Sequence, residues 1–340
     1  MKDSIVRVGI IGCGRIAQTR HIPEYANNPN VQLSGFYNRT YSLAQALANQ
    51  YSAKAYATAE ELLADPFIDA VSILTPNNTH TELTLAALRA GKHVLCEKPM
   101  AVSLEECNLL MAAESASSKK LMIAQNQRFY HAHIQAKRMI ESGEIGEILT
   151  FQTNFLHGGP SIDSESWFLN PALGSFGVLG DLGIHKIDLI HYLTGQQIVS
   201  ASAVLGALDK KQPNGAKIAL EDNAVCLFKL GGGAFGTMAV SWTAYGKPDI
   251  ATRIYGTKGT IELYRELDAP FTRYRIDGSA ENIHFERQQN SGVIDAFVNC
   301  IVSNSPSPVS ASSVVPAMKV IFAAYESNQA NSAMVTIEPN

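Results

Sequence analysis

Val6-Arg-Val-Gly-Ile-Ile-Gly12-Cys-Gly14-Arg-Ile-Ala17 decides how this chain is read. A short apolar run breaks on glycines and then continues as a helix, so it reads as a buried strand turning into a helix. Gly12 permits the tight turn, Gly14 lets a pyrophosphate approach the backbone, and Ala17 lets the helix pack close to the strand. Arg15 and Ile16 fall at the helix N-terminus, where unpaired backbone N–H groups face an anion. The alternative is an ordinary glycine-rich turn. The position of the pattern, straight after an apolar run near residue 6, favours a dinucleotide site.

Outward from that motif, strands and helices alternate through residue 125. Strands are expected at 5–11, 31–37, 70–74, 93–96 and 121–125, with helices after Gly14, at 42–50, at 79–90 and from Ser103. Gly91 suits a helix C-cap, and Ser103-Leu-Glu-Glu106 fits a capping box. Alternation of this kind implies right-handed crossovers and a parallel sheet. Beyond residue 126 the pattern changes. After a helix at 131–141, period-two segments at 148–155, 224–230, 234–243, 252–255 and 260–264 predict a mostly antiparallel sheet. A helix at 180–193 interrupts it; helices at 293–303 and 312–328 and a strand at 335–338 close the chain. The expected organisation is a dinucleotide-binding domain over 1–125 and a substrate and oligomerisation domain over 126–340.

Composition narrows the function. The chain has 340 residues, 46% apolar and 17% charged, with a formal net charge of −4 and no basic run. Nucleic acid and acidic membranes therefore have no electrostatic footprint here. No apolar run reaches spanning length, and the start of the chain leaves no room for a signal peptide, so a cytoplasmic location is expected. The five cysteines form no C-x-x-C pair and read as free thiols.

Four clusters carry candidate chemistry. At the tip of the second strand, Tyr37-Asn38-Arg39-Thr40 lacks the acid that would repel a 2′-phosphate. Asn38 can donate a hydrogen bond and Arg39 can pair with phosphate, which leans toward NADP over NAD. Thr75-Pro-Asn77-Asn-Thr-His80 and Glu97-Lys98-Pro99 both follow strands at the carboxyl edge of the sheet, where such sheets bind ligands. Asn77 and His80 are placed to reach the cofactor, although a turn with a helix cap reads equally well. Lys98 is placed to stabilise developing alkoxide charge, with a surface salt bridge as the alternative. In Gly180-Asp181-Leu-Gly-Ile-His185-Lys-Ile-Asp188, Asp181 and His185 lie four apart and share a helix face, so the carboxylate can orient the imidazole. Asp188 is the fallback partner. A metal site is disfavoured because no second histidine cluster supports it. His131 and His133 read as solvated.

Together these pieces resemble the Gfo/Idh/MocA oxidoreductases over nearly the whole chain. The resemblance rests on Gly12 to Ala17, Thr75 to His80, Gly91 through Glu97-Lys98-Pro99, and Gly180 to Asp188. It implies a Rossmann domain followed by an α/β domain with an open-faced, mostly antiparallel sheet that often forms the oligomer interface. It implies hydride transfer between nicotinamide and the secondary alcohol or ketone of a sugar, inositol or related polyol, in a homodimer or homotetramer. Lys98, Asp181 and His185 then serve catalysis. Thr75, Asn77, His80 and Glu97 join the glycine turn at the cofactor, and Arg128, His157 and Trp167 fall where relatives bind substrate. A cis bond before Pro99 is implied too. The run Gly174-Ser-Phe-Gly177-Val-Leu-Gly180 is looser than the consecutive glycines usual in relatives. Rival expectations are a non-sugar carbonyl substrate, such as a dihydrodiol, and a dinucleotide-binding regulator without catalysis.

Overall fold

The computed structural model describes residues 5–159, 167–212, 214–263, 271–286 and 288–338. It divides into two units: Met1–Asn126 with Asn290–Val314, and Gln127–Gln289 with Val315–Asn340. Residues 290–314 return to the first unit, whereas the sequence reading keeps 126–340 together.

The first unit is built on β1 (Val6–Ile11), β2 (Val31–Tyr37), β3 (Lys54–Tyr56), β4 (Ala70–Ile73), β5 (His93–Cys96) and β6 (Leu121–Ile123), in the order 3-2-1-4-5-6. Every pairing is parallel. All four residues of β4 are buried, as a strand covered on both faces requires. The crossovers carry α1 (Ile22–Asn27), α2 (Tyr41–Tyr51), α3 (Ala59–Ala64), α4 (His80–Arg89) and α5 (Leu104–Ala116). Local chemistry sets their ends. Gly91, at φ +72°, follows α4, and the Ser103 side chain accepts from Glu106 N–H at the start of α5. Glu106 Oε2 accepts the N–H of Val102 at 2.8 Å, one residue ahead of the N-cap, a shifted form of the expected box. β3 and α3 are only three and six residues long, too short to carry a clear period.

The second unit begins with α6 (His131–Glu141) and holds β7 (Ile148–Leu156), α7 (Pro171–Gly174), α8 (Ile184–Thr194), β8 (Ile198–Gly206), β9 (Asn223–Leu230), β10 (Phe235–Ser241), β11 (Thr252–Gly256), β12 (Gly259–Leu263), β13 (Phe271–Arg275) and β14 (Ala280–Ile283). α9 (Val293–Val302) lies in the returning segment, α10 (Ala311–Gln329) runs from it into the second unit, and β15 (Val335–Thr336) ends the chain's regular structure. The sheet order is β14-β13-β12-β11-β7-β10-β9-β8-β15. Pairing is antiparallel throughout except between β7 and β10. The expected strand end at Tyr264 lies outside the described residues. In β9, Ala224, Cys226, Phe228 and Leu230 are buried while Val225, Leu227 and Lys229 are exposed. That strict alternation marks a sheet with one covered and one open face. Among the described residues, no helix is long and apolar enough to cross a membrane.

Candidate active site

The first unit gathers its candidate residues at the carboxyl edge of the parallel sheet. Gly12 sits at φ +98°, and a Cβ there would lie 2.6 Å from the carbonyl oxygen of Leu74, so only glycine fits. Beside Gly14 the opposite holds: nothing lies within 4 Å of a Cβ built on it. This open space next to exposed backbone is what a pyrophosphate needs, so the turn fits a dinucleotide. Arg15 is exposed and Ile16 half-buried. The Asn38 amide is already employed. Its Oδ1 accepts the Cys13 N–H at 3.0 Å, and its Nδ2 donates to the Thr40 carbonyl at 3.2 Å, so it braces the β2 tip against the glycine turn. Arg39 is exposed.

After Ala17 the helix is not regular. Ala17–His21 forms a π-turn, in which the Ile22 N–H bonds back to the Ala17 carbonyl. Pro23 at the start of α1 has no N–H to continue an α ladder, and one inserted residue resolves the mismatch. The π-turn ends on His21, a residue without a role in the sequence reading.

The next two loops are tied together. The Thr79 hydroxyl donates to Thr75 Oγ1 at 2.7 Å, and Asn77 is buried. His80 was expected to reach the cofactor; the structure corrects this. It is 1% exposed, with Nδ1 2.8 Å from the Pro99 carbonyl and Nε2 2.9 Å from that of Thr75. Burial pushes its imidazole below the usual range, against the pull of those two carbonyls. His80 thus joins the two loops from inside. Lys98 is half-buried, and its bond to Pro99 is cis, as the resemblance implies. Glu97 is buried, and both oxygens are engaged: Oε1 with His21 Nε2 at 3.0 Å and Oε2 with the Lys98 N–H at 3.1 Å. Burial pushes the Glu97 carboxyl up, but the His21 hydrogen bond and the charges of His21, Lys98 and Arg20 prevail and hold it at about 2.

The second unit builds its candidates around the start of α8. Leu179–Gly183 is a second π-turn, running directly into the α-helix. Irregular turns of this kind concentrate at functional sites. Asp181 is half-buried, and its Oδ2 accepts the indole N–H of the fully buried Trp242 at 3.2 Å. His185 is buried, with its ring 6.1 Å from that of Phe155. Phe155 also meets the His157 ring edge-on at 5.6 Å. The Gly159 N–H donates to His157 Nδ1 at 2.8 Å, so the neutral ring carries its proton on Nε2. A row of rings runs from the half-buried Trp167 to Phe168 at 5.1 Å and on to Trp242 at 5.3 Å. Trp242 and Phe168 thereby connect Asp181 to Trp167, and Phe155 connects His185 to His157; the sequence reading passed over all three rings. Phe155 and Trp242 fall in period-two segments and so read as ordinary core.

Two expectations for this unit need correcting. Asp188 is not a partner for His185: it forms a buried pair with Arg128, Nε at 2.8 Å and Nη2 at 2.5 Å. A guanidinium forked onto a carboxylate in the interior is a bracing element between α8 and the turn before α6, with Nε and Nη2 given to Asp188. Likewise His133 is buried, not solvated, with Nδ1 2.7 Å from the Gln127 carbonyl.

A parallel sheet in this order, with an open glycine turn after its first strand, defines a dinucleotide-binding Rossmann domain. A family model described as an oxidoreductase family with NAD-binding Rossmann fold matches residues 6–125, and one for the GFO/IDH/MocA C-terminal domain matches 133–262. The chain belongs to the Gfo/Idh/MocA family of oxidoreductases. Levoglucosan dehydrogenase of Pseudarthrobacter phenanthrenivorans is 32% identical over 240 residues, 64% of this chain and 61% of that protein. Myo-inositol 2-dehydrogenase of Thermotoga maritima is 27% identical over 329 residues, 95% of this chain and 96% of that protein. Among solved structures, levoglucosan dehydrogenase in complex with NADH and levoglucosan superposes with a TM-score of 0.89 at 25% identity, covering 98% of this chain and 100% of that one.

Proposed function

We propose that the chain oxidises or reduces a secondary alcohol or ketone of a sugar, inositol or related polyol with NADP(H) or NAD(H). The observation that carries the proposal is the arrangement at the start of α8. A carboxylate fixed by an indole N–H lies one turn from a buried imidazole, and that indole begins a row of rings that leads through Phe168 to the half-buried Trp167. Such a row suits the apolar face of a sugar ring. The named relatives, which act on levoglucosan and myo-inositol, point to the same substrate class.

In this reading the nicotinamide accepts or supplies the hydride. His185 takes the proton of the substrate hydroxyl on oxidation and returns it on reduction. Asp181, its Oδ2 held by Trp242, orients His185 or binds a neighbouring hydroxyl. Lys98 stabilises negative charge on the reacting oxygen. His157 offers its Nε2–H to substrate, and Trp167 stacks on it. The exposed Arg39, with no acid at the β2 tip, supports a preference for NADP. The open face of the second sheet is the surface we assign to pairing with further copies of the chain, in a reducing cytoplasm that suits its five buried, free cysteines.

The test is turnover of levoglucosan, myo-inositol and common aldoses with NADP and NAD. His185→Ala and Lys98→Ala should each lower turnover by ~10²–10³, the scale of losing one stabilising group at a reacting oxygen. NADPH affinity of His185→Ala should stay within about threefold of the parent, since the residue acts on the substrate's proton. Turnover that survives both changes overturns these roles, and a lower Michaelis constant for NAD overturns the cofactor preference.

A further inference from the structure

His21 and Glu97 are 76 positions apart, yet their side chains meet inside the first unit at 3.0 Å. His21 is 1% exposed and Glu97 is 8% exposed. Burying such a pair is expensive, and well-packed apolar residues in its place are often as stable or more so. The cost here is larger still, because His21 Nδ1 is buried without a hydrogen bond to any described residue. Stability alone is therefore a poor reason for the pair. What the pair touches supplies a better one.

His21 closes the π-turn that starts three residues after Gly14, so it is rigidly connected to the pyrophosphate-binding turn. Glu97 spends its second oxygen on the N–H of Lys98 itself. One residue further on, the Pro99 carbonyl is taken by buried His80. The peptide before Lys98 and the one after Pro99 are thus both held, and the first of these holds leads through Glu97 and His21 to the glycine turn. We infer that His21 is a positioning residue: through Glu97 it sets Lys98 relative to the pyrophosphate-binding turn, so that the nicotinamide half of the dinucleotide meets a preformed partner. The inference rests on the proposed role of Lys98 beside the nicotinamide ribose and the reacting oxygen.

The experiment compares NADH with ADP-ribose, which keeps the adenosine and pyrophosphate but lacks nicotinamide. Affinities are measured by titration for the parent, His21→Phe, His21→Gln, Lys98→Met and the double variant His21→Phe/Lys98→Met. His21→Phe should weaken NADH about tenfold and leave ADP-ribose within about twofold. His21→Gln keeps an N–H for Glu97 and should recover NADH to within about threefold of the parent. In the Lys98→Met background, His21→Phe should cost less than about twofold more, because the residue it positions is already gone. Should His21→Phe fail to fold, Glu97→Gln takes its place in the cycle, with the same pattern expected. Equal losses for both ligands, or losses that add to those of Lys98→Met, make the pair purely structural and overturn the inference. A parent protein that binds neither NADH nor NADPH fails a different claim, the dinucleotide reading itself, and shows it before any variant is made.

Discussion

Lys186 shows how much a single residue can contradict its surroundings. It follows His185 in α8 and is 2% exposed. Its Nζ donates to the Ile250 carbonyl at 2.8 Å and to Thr252 Oγ1 at 3.1 Å, both neutral acceptors. Burial pulls its pKa down to about 7, with Asp249 opposing. In the unfolded chain a lysine keeps its proton to about 10.4. Between those two values the unfolded state binds more protons, so this group makes stability rise with pH; below about 7 the full cost of the buried charge is present. Lys186→Met removes both the charge and two hydrogen bonds. The melting temperature of the parent relative to Lys186→Met should therefore climb by at least ~3 °C from pH 6 to pH 9, the equivalent of about 1 kcal/mol in a protein of this size. A pH-independent difference between the two would show that the amine titrates normally. Nothing in the spacing of α8 marks Lys186 as buried. The same blindness affected His80, Arg128 and His133. A polar residue's partner is set by tertiary packing, and spacing along the chain does not record it.

Among the elements, the legible ones were those with strong periodicity or a steric signature. The glycine turn, the parallel strands and the Ser103 cap of α5 follow from local chemistry, and the structure reproduces each. The π-turns at Ala17–His21 and Leu179–Gly183 were not legible, because an inserted residue leaves the apolar pattern nearly unchanged. The run from Gly174 to Gly180 also becomes intelligible only in three dimensions. A Cβ on Gly177 would lie 2.1 Å from the Glu221 carbonyl oxygen and 2.7 Å from its carboxylate. Glu221 in turn holds the second π-turn: its carbonyl accepts the Val178 N–H at 2.9 Å, and its Oε1 accepts the Leu179 N–H at 3.1 Å and the Tyr325 hydroxyl at 2.6 Å. Glycine is there to allow close approach to the support of Asp181. Gly177→Ala forces backbone apart in a packed region, a cost of about 1–3 kcal/mol. It should lower the melting temperature by roughly 3–10 °C and reduce turnover by displacing Asp181. Gly231→Ala is the control, since its nearest neighbour is an ordinary 3.6 Å away. Similar melting temperatures for both variants would refute this account of the loop.

At the scale of the whole molecule, the open face of the nine-stranded sheet sets the last expectation. Cross-strand register puts Val204 beside Val225, Val225 beside Ala239, and Leu227 beside Thr237, all on one face. Phe235 joins them opposite Lys229. Val204 is 62% exposed, Val225 58%, Leu227 42% and Phe235 59%. Single exposed apolar residues are unremarkable, but neighbours in register on adjacent strands form a continuous patch, and patches of that kind mark association surfaces. A flat face carried by every copy is self-complementary under a two-fold axis, which favours a closed dimer or a pair of dimers over an open chain. The parent should therefore run in size-exclusion chromatography with light scattering at two or four times 36.8 kDa. Val225→Glu with Leu227→Glu places two charges in the centre of the face. Burying them unpaired costs several kcal/mol per contact, so the double variant should run at 36.8 kDa with its circular dichroism unchanged. A parent that is monomeric at micromolar concentration, or a double variant of unchanged mass, would mean that the exposed face serves another purpose.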